Sequence, residues 1–153
     1  MSASKSYLID AAGCRLGRLA SVVAKLLLQG NRVKIYNAEK AIITGNRRAV
    51  LNHYLMLRGR RQLKSHKTVS VWYPTRPDTI LRYAIVRMLP RRKPRGIAAA
   101  RRLTVVRGPL EKVDGERLEL KDVRLEKPVS RSLRVIRFIT LEELSRELRG
   151  GRP

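Results

Sequence analysis

A change of hydrophobic period at Arg15 constrains the fold of this chain more than any other feature. Before it, Tyr7-Leu8-Ile9-Asp10 is a short β-compatible run followed by Ala11-Ala12-Gly13, a strand with a turn after it. From Arg15 the spacing is helical. Leu16, Leu19, Ala20, Val22, Val23, Leu26 and Leu27 share a face, with Arg18, Ser21, Lys25 and Gln29 turned away. Gly30-Asn31 stops the helix, Val33-Lys34-Ile35-Tyr36 alternates as a strand, and Ala41-Ile42-Ile43-Thr44 reads as another. Strand, long helix and strand argue for a βαβ crossover, and hence for an α/β fold.

Downstream, a helix is expected from about Asn46 to Leu57, with Val50, Leu51, Tyr54, Leu55 and Met56 as its apolar stripe. Residues 58–77 show no period and read as a long, partly irregular basic loop that orders on a partner. Pro77 and Asp78 suit the first turn of a third helix, whose buried face is Ile80, Leu81, Ala84, Ile85 and Met88. A short helix is expected after Gly96 and a strand at Leu103-Thr104-Val105-Val106. Residues 109–132 are mixed in charge and turn-rich, a surface excursion. Ile136 to Ile139 reads as extended. Thr140 and Glu143 then form a capping box, Ile139 and Leu144 a hydrophobic staple, and Gly150-Gly151 closes the last helix. One domain over residues 1–153 accommodates all of this.

Charge is the second constraint. The chain has 35 Lys+Arg against 12 Asp+Glu, a net of +23, yet 43% hydrophobic residues suffice for a core. The excess is concentrated. Residues 44–107 hold 17 basic residues and a single acid, Asp78, a net of +16, whereas residues 1–43 carry +5 and residues 108–153 carry +2. A solvated face normally mixes both signs, so this segment calls for a polyanionic partner, and nucleic acid is the commonest. Arginine supplies 25 of the 35 cations, and its planar fork suits bidentate phosphate contact. Aromatics are only 5%, which disfavours a base-stacking sheet.

Other functions find little support. No apolar run approaches the ~20 residues of a membrane span. Met1 to Ser6 leads into the first strand, so no signal peptide is expected, and the lone Cys14 fits a reducing cytosol. Gly13-Cys14-Arg15-Leu16-Gly17 follows a strand and opens a helix but is only G-x-x-x-G, short of a dinucleotide fingerprint or P-loop. Gly13 reads as a turn residue and Gly17 as a close-packing one. Cys14, His53 and His66 lack metal-ligand spacing. His53 reads as a partly exposed helix residue and Cys14 as a packing residue, though a helix N-terminus could lower its pKa. No catalytic constellation, metal or cofactor is expected.

Several motifs in order resemble one family. Ile9-Asp10-Ala11 with Leu16-Gly17-Arg18-Leu19-Ala20, then Asn37-Ala38-Glu39-Lys40-Ala41-Ile42-Ile43-Thr44-Gly45-Asn46-Arg47, resemble the opening of the universal large-subunit ribosomal protein L-thirteen family. Arg76-Pro77-Asp78, Met88-Leu89-Pro90, Arg91-Arg92-Lys93-Pro94-Arg95-Gly96 and Leu103-Thr104-Val105-Val106-Arg107-Gly108 follow in the family's order. Phe138-Ile139-Thr140-Leu141 with Leu144-Ser145 is similar to the archaeal form. Arg87 stands where the family commonly has Gly, and Ile97 where it often has a charge.

The resemblance implies a three-layer α/β/α domain with a small, mostly parallel sheet of about four strands, basic loops and a C-terminal helix. It implies a non-catalytic constituent of the cytoplasmic large subunit that stabilises folded ribosomal RNA during assembly and translation. The implied partners are large-subunit ribosomal RNA and neighbouring large-subunit proteins, with no membrane and no homo-oligomer. A free RNA-binding translational repressor and a DNA-coating protein are the alternatives. RNA contact is expected at Arg15, Arg18, Lys40, Thr44, Gly45, Asn46, Arg47, Arg48, Arg58, Arg60, Arg61, Lys64, Lys67, Arg76, Arg82, Arg87, Arg91, Arg92, Lys93, Arg95, Arg101 and Arg102. Within this set, Arg47 and Arg48 sit where a helix dipole disfavours cations, which points to a phosphate there. The tract from Arg91 to Gly96 reads as a cationic strap stiffened by Pro90 and Pro94.

Overall fold

The period change at Arg15 marks a βαβ unit in the computed structural model, which describes residues 5–59, 73–110, 115–125 and 135–150. Strands β1 (Ser6–Asp10) and β2 (Arg32–Tyr36) run parallel, with Ser6 opposite Arg32 and Asp10 opposite Tyr36. Helix α1 (Leu16–Leu28) is the crossover. It buries Leu19, Ala20, Val23, Ala24 and Leu27, the stripe that the 3.6-residue period marks out. After it come β3 (Ile42–Thr44), α2 (Arg47–Gly59), α3 (Pro77–Met88), α4 (Pro94–Arg101) and β4 (Leu103–Val105). Then follow β5 (Glu116–Arg117), β6 (Phe138–Thr140) and α5 (Leu141–Gly150).

β4 joins the free side of β2 and β5 the free side of β1, giving a four-stranded parallel sheet in the order β4-β2-β1-β5. The α/β class, the mostly parallel sheet and the C-terminal helix are as the sequence indicated. Pairing in register sorts the two faces. Ile9, Val33, Ile35 and Leu103 point into one core cluster with Leu19, Val23 and Leu27 of α1 and Ile80, Leu81 and Ile85 of α3. Each such Leu, Ile or Val contributes about 1.5–3 kcal/mol by leaving water. The opposite face carries Lys34, Tyr36 and Thr104, none of them buried. Parallel sheets are usually covered by apolar packing on both faces. Here one face has a polar half.

β3 stands outside that sheet and pairs antiparallel with β6, Ile42 opposite Thr140 and Thr44 opposite Phe138. This pairing brings the C-terminal segment back beside the first third of the chain and sets α5 against α2 and α3. The cap of α5 is reciprocal. The Glu143 N–H donates to Thr140 Oγ1 at 3.2 Å, and the Thr140 N–H donates to Glu143 Oε2 at 3.3 Å. Ile139 and Leu144, the two staple residues, are both fully buried.

Some details differ from the periodic reading. On α2 the inward residues are Val50, Leu51, Tyr54 and Leu57, at positions i, i+1, i+4 and i+7, whereas Leu55 and Met56 are 42% and 50% exposed. Met88 is exposed at the last residue of α3, and Leu89 takes the buried place as the chain turns extended. α4 starts at Pro94 rather than after Gly96, because proline fits the first helical position, where no N–H bond is lost. Gly13 is a turn residue at φ +70°, but Gly17 has nothing within 4 Å of a built Cβ and is not there for close packing. Within 109–132, residues 116–117 add to the sheet beside β1, and Val123 is buried in the core cluster, so this stretch is more than a surface excursion. Of the loop 58–77, residues 60–72 lie outside the described residues.

Candidate nucleic-acid interface

The first cationic site is built at the start of α2. Gly45, at φ +145°, turns the chain and donates its N–H to the Arg137 carbonyl at 2.8 Å. Asn46 caps the helix, its Oδ1 accepting the Arg48 N–H at 3.2 Å. Thr44 is exposed on the edge of the β3-β6 pair. Arg48 is exposed and free of ion pairs among the described residues. Arg47 is placed differently. Its Nε donates to Glu147 Oε1 at 2.7 Å, with a second, shorter bond from Nη2 to the same oxygen. That hydrogen bond and charge push the guanidinium pKa further above its ordinary value. Arg47 therefore ties α2 to α5, and of the two exposed first-turn arginines Arg48 is the one without a carboxylate partner among the described residues.

The second site lies between α3 and α4. The Pro90 carbonyl accepts the Lys93 N–H at 3.0 Å, and the Lys93 carbonyl accepts the N–H groups of Gly96 and Ile97 at 3.0 and 3.2 Å. Gly96 is buried, and a Cβ there would overlap the Pro90 carbonyl. Its missing side chain thus admits the protein's own backbone. Around this locked turn, Arg91, Arg92, Lys93 and Arg95 are exposed, and none reaches a carboxylate among the described residues.

Alternation along β2 builds a third. Arg32 and Lys34 occupy the less buried positions that alternate with Val33 and Ile35. With Ser6, Thr104, Arg101 and Arg102 they line an open groove of about 500 Å³. Sequence reasoning singled out Arg101 and Arg102 here but missed Arg32 and Lys34. The strict alternation of β2 was the signal, since it turns both cations to the less buried face.

Other candidate cations serve the fold itself. Arg102 Nη2 donates to the Leu27 carbonyl at the end of α1 at 2.8 Å, and Arg82 Nη1 to the Leu103 carbonyl at 3.0 Å. Arg58 Nη1 donates to the Leu148 carbonyl in the last turn of α5 at 2.7 Å, where the dipole welcomes a cation. Arg76 pairs with Asp78 at 3.3 Å, and Arg107 approaches the same carboxylate at 3.7 Å. Arg87 Nη1 donates to the Tyr73 hydroxyl at 2.9 Å and the Tyr83 hydroxyl at 3.3 Å. Arg15 is half-buried, its Nε without a hydrogen-bond partner among the described residues, while Arg18 and Lys40 are exposed. Arg60, Arg61, Lys64 and Lys67 lie outside the described residues.

Cys14 is 2% exposed, and its thiol donates to the Asp10 carbonyl at 3.4 Å. Burial pushes its pKa up, against the lowering influence of Arg124, which is the wrong direction for a nucleophile. Among the described residues no three His, Cys, Asp or Glu side chains are grouped to hold a metal. The chemistry available is electrostatic, with exposed guanidinium and ammonium groups set on rigid turns, a helix start and a sheet face.

The family model described as Ribosomal protein L13 matches residues 4–111. A protein named large ribosomal subunit protein uL13 from Methanocaldococcus jannaschii is 38% identical over 140 residues, covering 92% of this chain and 95% of its own. The protein of that name from Thermoplasma volcanium is 40% identical over 144 residues, covering 94% and 98%. The one from Methanococcus maripaludis is 36% identical over 140 residues. With the motifs in order, the parallel four-stranded sheet and these matches along nearly the whole length, the chain belongs to the ribosomal protein L13 family.

Proposed function

We propose that this chain is a structural constituent of the large ribosomal subunit, working in the cytoplasm as one ribosomal-protein domain without catalysing a reaction. It binds large-subunit ribosomal RNA and stabilises its folded form during assembly and translation, beside neighbouring large-subunit proteins. The carrying observation is the turn between α3 and α4 with the start of α4, where Arg91, Arg92, Lys93 and Arg95 are exposed around a hydrogen-bonded backbone with no carboxylate in reach among the described residues. A rigid cationic turn loses little entropy on docking, so its charges act efficiently on phosphates. Arg48, Arg101, Arg32 and Lys34 extend the contact, while Arg47, Arg58, Arg82 and Arg102 support it by joining elements.

The test is sedimentation of tagged protein in a lysate gradient, where it should travel with large subunits. Purified protein should also prefer folded large-subunit RNA over duplex DNA at matched salt, because shape and 2′-OH contacts add to charge. Equal affinity for both, with no tagged protein in the subunit peak, would favour a DNA-coating role.

A further inference from the structure

Three of the five tyrosines of this aromatic-poor chain meet in one place. Tyr54 of α2, Tyr83 of α3 and Tyr73 line an open cavity of about 400 Å³ with His53 and Arg87, over a floor that includes Leu57 and Ile80. The rings of Tyr73 and Tyr83 meet edge to face, centroids 5.4 Å apart at 61°. The Arg87 guanidinium lies 5.3 Å from the Tyr83 centroid and 6.0 Å from that of Tyr73, and donates to both hydroxyls. His53 stands edge-on to Tyr54 at 6.0 Å. None of the four rings is buried. Tyrosines recruited only for packing would be sunk into the core. Tyr54 packs partly against the core, whereas Tyr73 and Tyr83 remain partly accessible and are oriented by a cation that carries further N–H donors.

We propose that this cavity receives a single unpaired nucleobase of large-subunit RNA, stacked on the tyrosine rings and anchored by Arg87. The inference rests on the RNA-binding reading above and deepens it. A base presents a flat π-face to the rings and hydrogen-bond acceptors to the guanidinium, and its own phosphate suits the surrounding potential. That potential belongs to residues 44–107, whose net charge is +16, so a cationic protein side chain would be repelled from the same place. Structured RNA supplies such bases at bulges and loops, where they are already unstacked.

The experiment compares Tyr73→Phe/Tyr83→Phe with Tyr73→Leu/Tyr83→Leu in the full chain, titrated against deproteinised large-subunit RNA over a range of salt. The Phe pair keeps both rings and should bind within about twofold of wild type, whereas the Leu pair should lose about tenfold. The salt slope should not change, since no phosphate contact is removed. Should the Leu pair lose its thermal transition, Tyr73→Leu alone carries the comparison, because Tyr73 lies outside every helix and strand. Wild-type affinity in the Leu variants overturns the proposal, and so does a loss accompanied by a shallower salt slope, which would mean a displaced cation. Normal RNA binding with poor incorporation into complete subunits also overturns it, in favour of a protein neighbour. If wild-type protein itself fails to bind the RNA, the RNA-binding reading fails first.

Discussion

Arg47 and Glu147, one hundred residues apart in the chain, are joined by two hydrogen bonds from the guanidinium to a single carboxylate oxygen. The pair couples the first turn of α2 to α5 near its C-terminal end. It exists because β3 and β6 pair antiparallel and bring the last helix back beside the second. A cation that looks misplaced at a helix N-terminus thus has a partner on another element.

Arg47 and Arg48 are therefore expected to respond differently to reversal of charge. Arg47→Glu would face both Glu147 and Glu143 and should lower Tm, and the swap Arg47→Glu/Glu147→Arg should recover most of the loss. Arg48→Glu removes an unpaired cation from the first turn, so stability should hold or rise slightly while RNA affinity falls. Thermal melts and RNA titrations of the three variants check this. Identical melts for the two single variants would mean that the pair contributes nothing in solution.

Two glycines in helices should have opposite signs. Gly96→Ala drives a methyl group into the Pro90 carbonyl and should destabilise by about 1–3 kcal/mol despite alanine's better helix propensity. Gly17→Ala meets open space in α1 and should stabilise by about 0.5–1 kcal/mol. Urea unfolding with a shared m-value reads both, and a stabilising Gly96→Ala would show that the turn relaxes easily.

Cys14 makes stability depend on alkaline pH. Its ordinary pKa of 9.0 applies to the unfolded chain, and burial raises it in the folded protein. The folded state then holds the proton more tightly. Its contribution is complete below the unfolded pKa and is lost as pH rises from there through the folded value. Cys14→Ala should flatten that alkaline decline. In native protein the thiol should react with iodoacetamide far more slowly than in urea. Equal rates would place the thiol in solvent.

Replacing Arg91, Arg92, Lys93 and Arg95 by Ser should leave Tm nearly unchanged, since exposed charges on a backbone-bonded turn contribute little to folding. The salt dependence of RNA binding should become shallower by roughly two to four phosphate contacts. Incorporation into large subunits should fall in competition with wild type. Normal incorporation would mean that the RNA is gripped elsewhere, for instance along Arg32 and Lys34.

Local patterns determined a great deal of this protein. The 3.6-residue stripe of α1, the alternation of β2 and the Thr140–Glu143 box depend on neighbours within a turn or two, so sequence alone specifies them. The charge density of residues 44–107 is likewise a sum over the chain and needs no coordinates. What each cation does is another matter. Arg47, Arg58, Arg82 and Arg102 bond to acceptors between 21 and 100 residues away, and nothing in their own neighbourhood separates them from Arg48 or Arg91. The same holds for Tyr54, Tyr73 and Tyr83, scattered along the sequence and gathered only when α2 and α3 flank one cavity. The two-residue strand β5 is too short to carry a period and becomes a strand only because the edge of β1 offers unpaired backbone groups. Propensity and charge are properties of short segments, whereas partnership is a property of the folded chain. Only the tertiary structure could divide the arginines that bond within this protein from those it leaves exposed and without a carboxylate partner among the described residues.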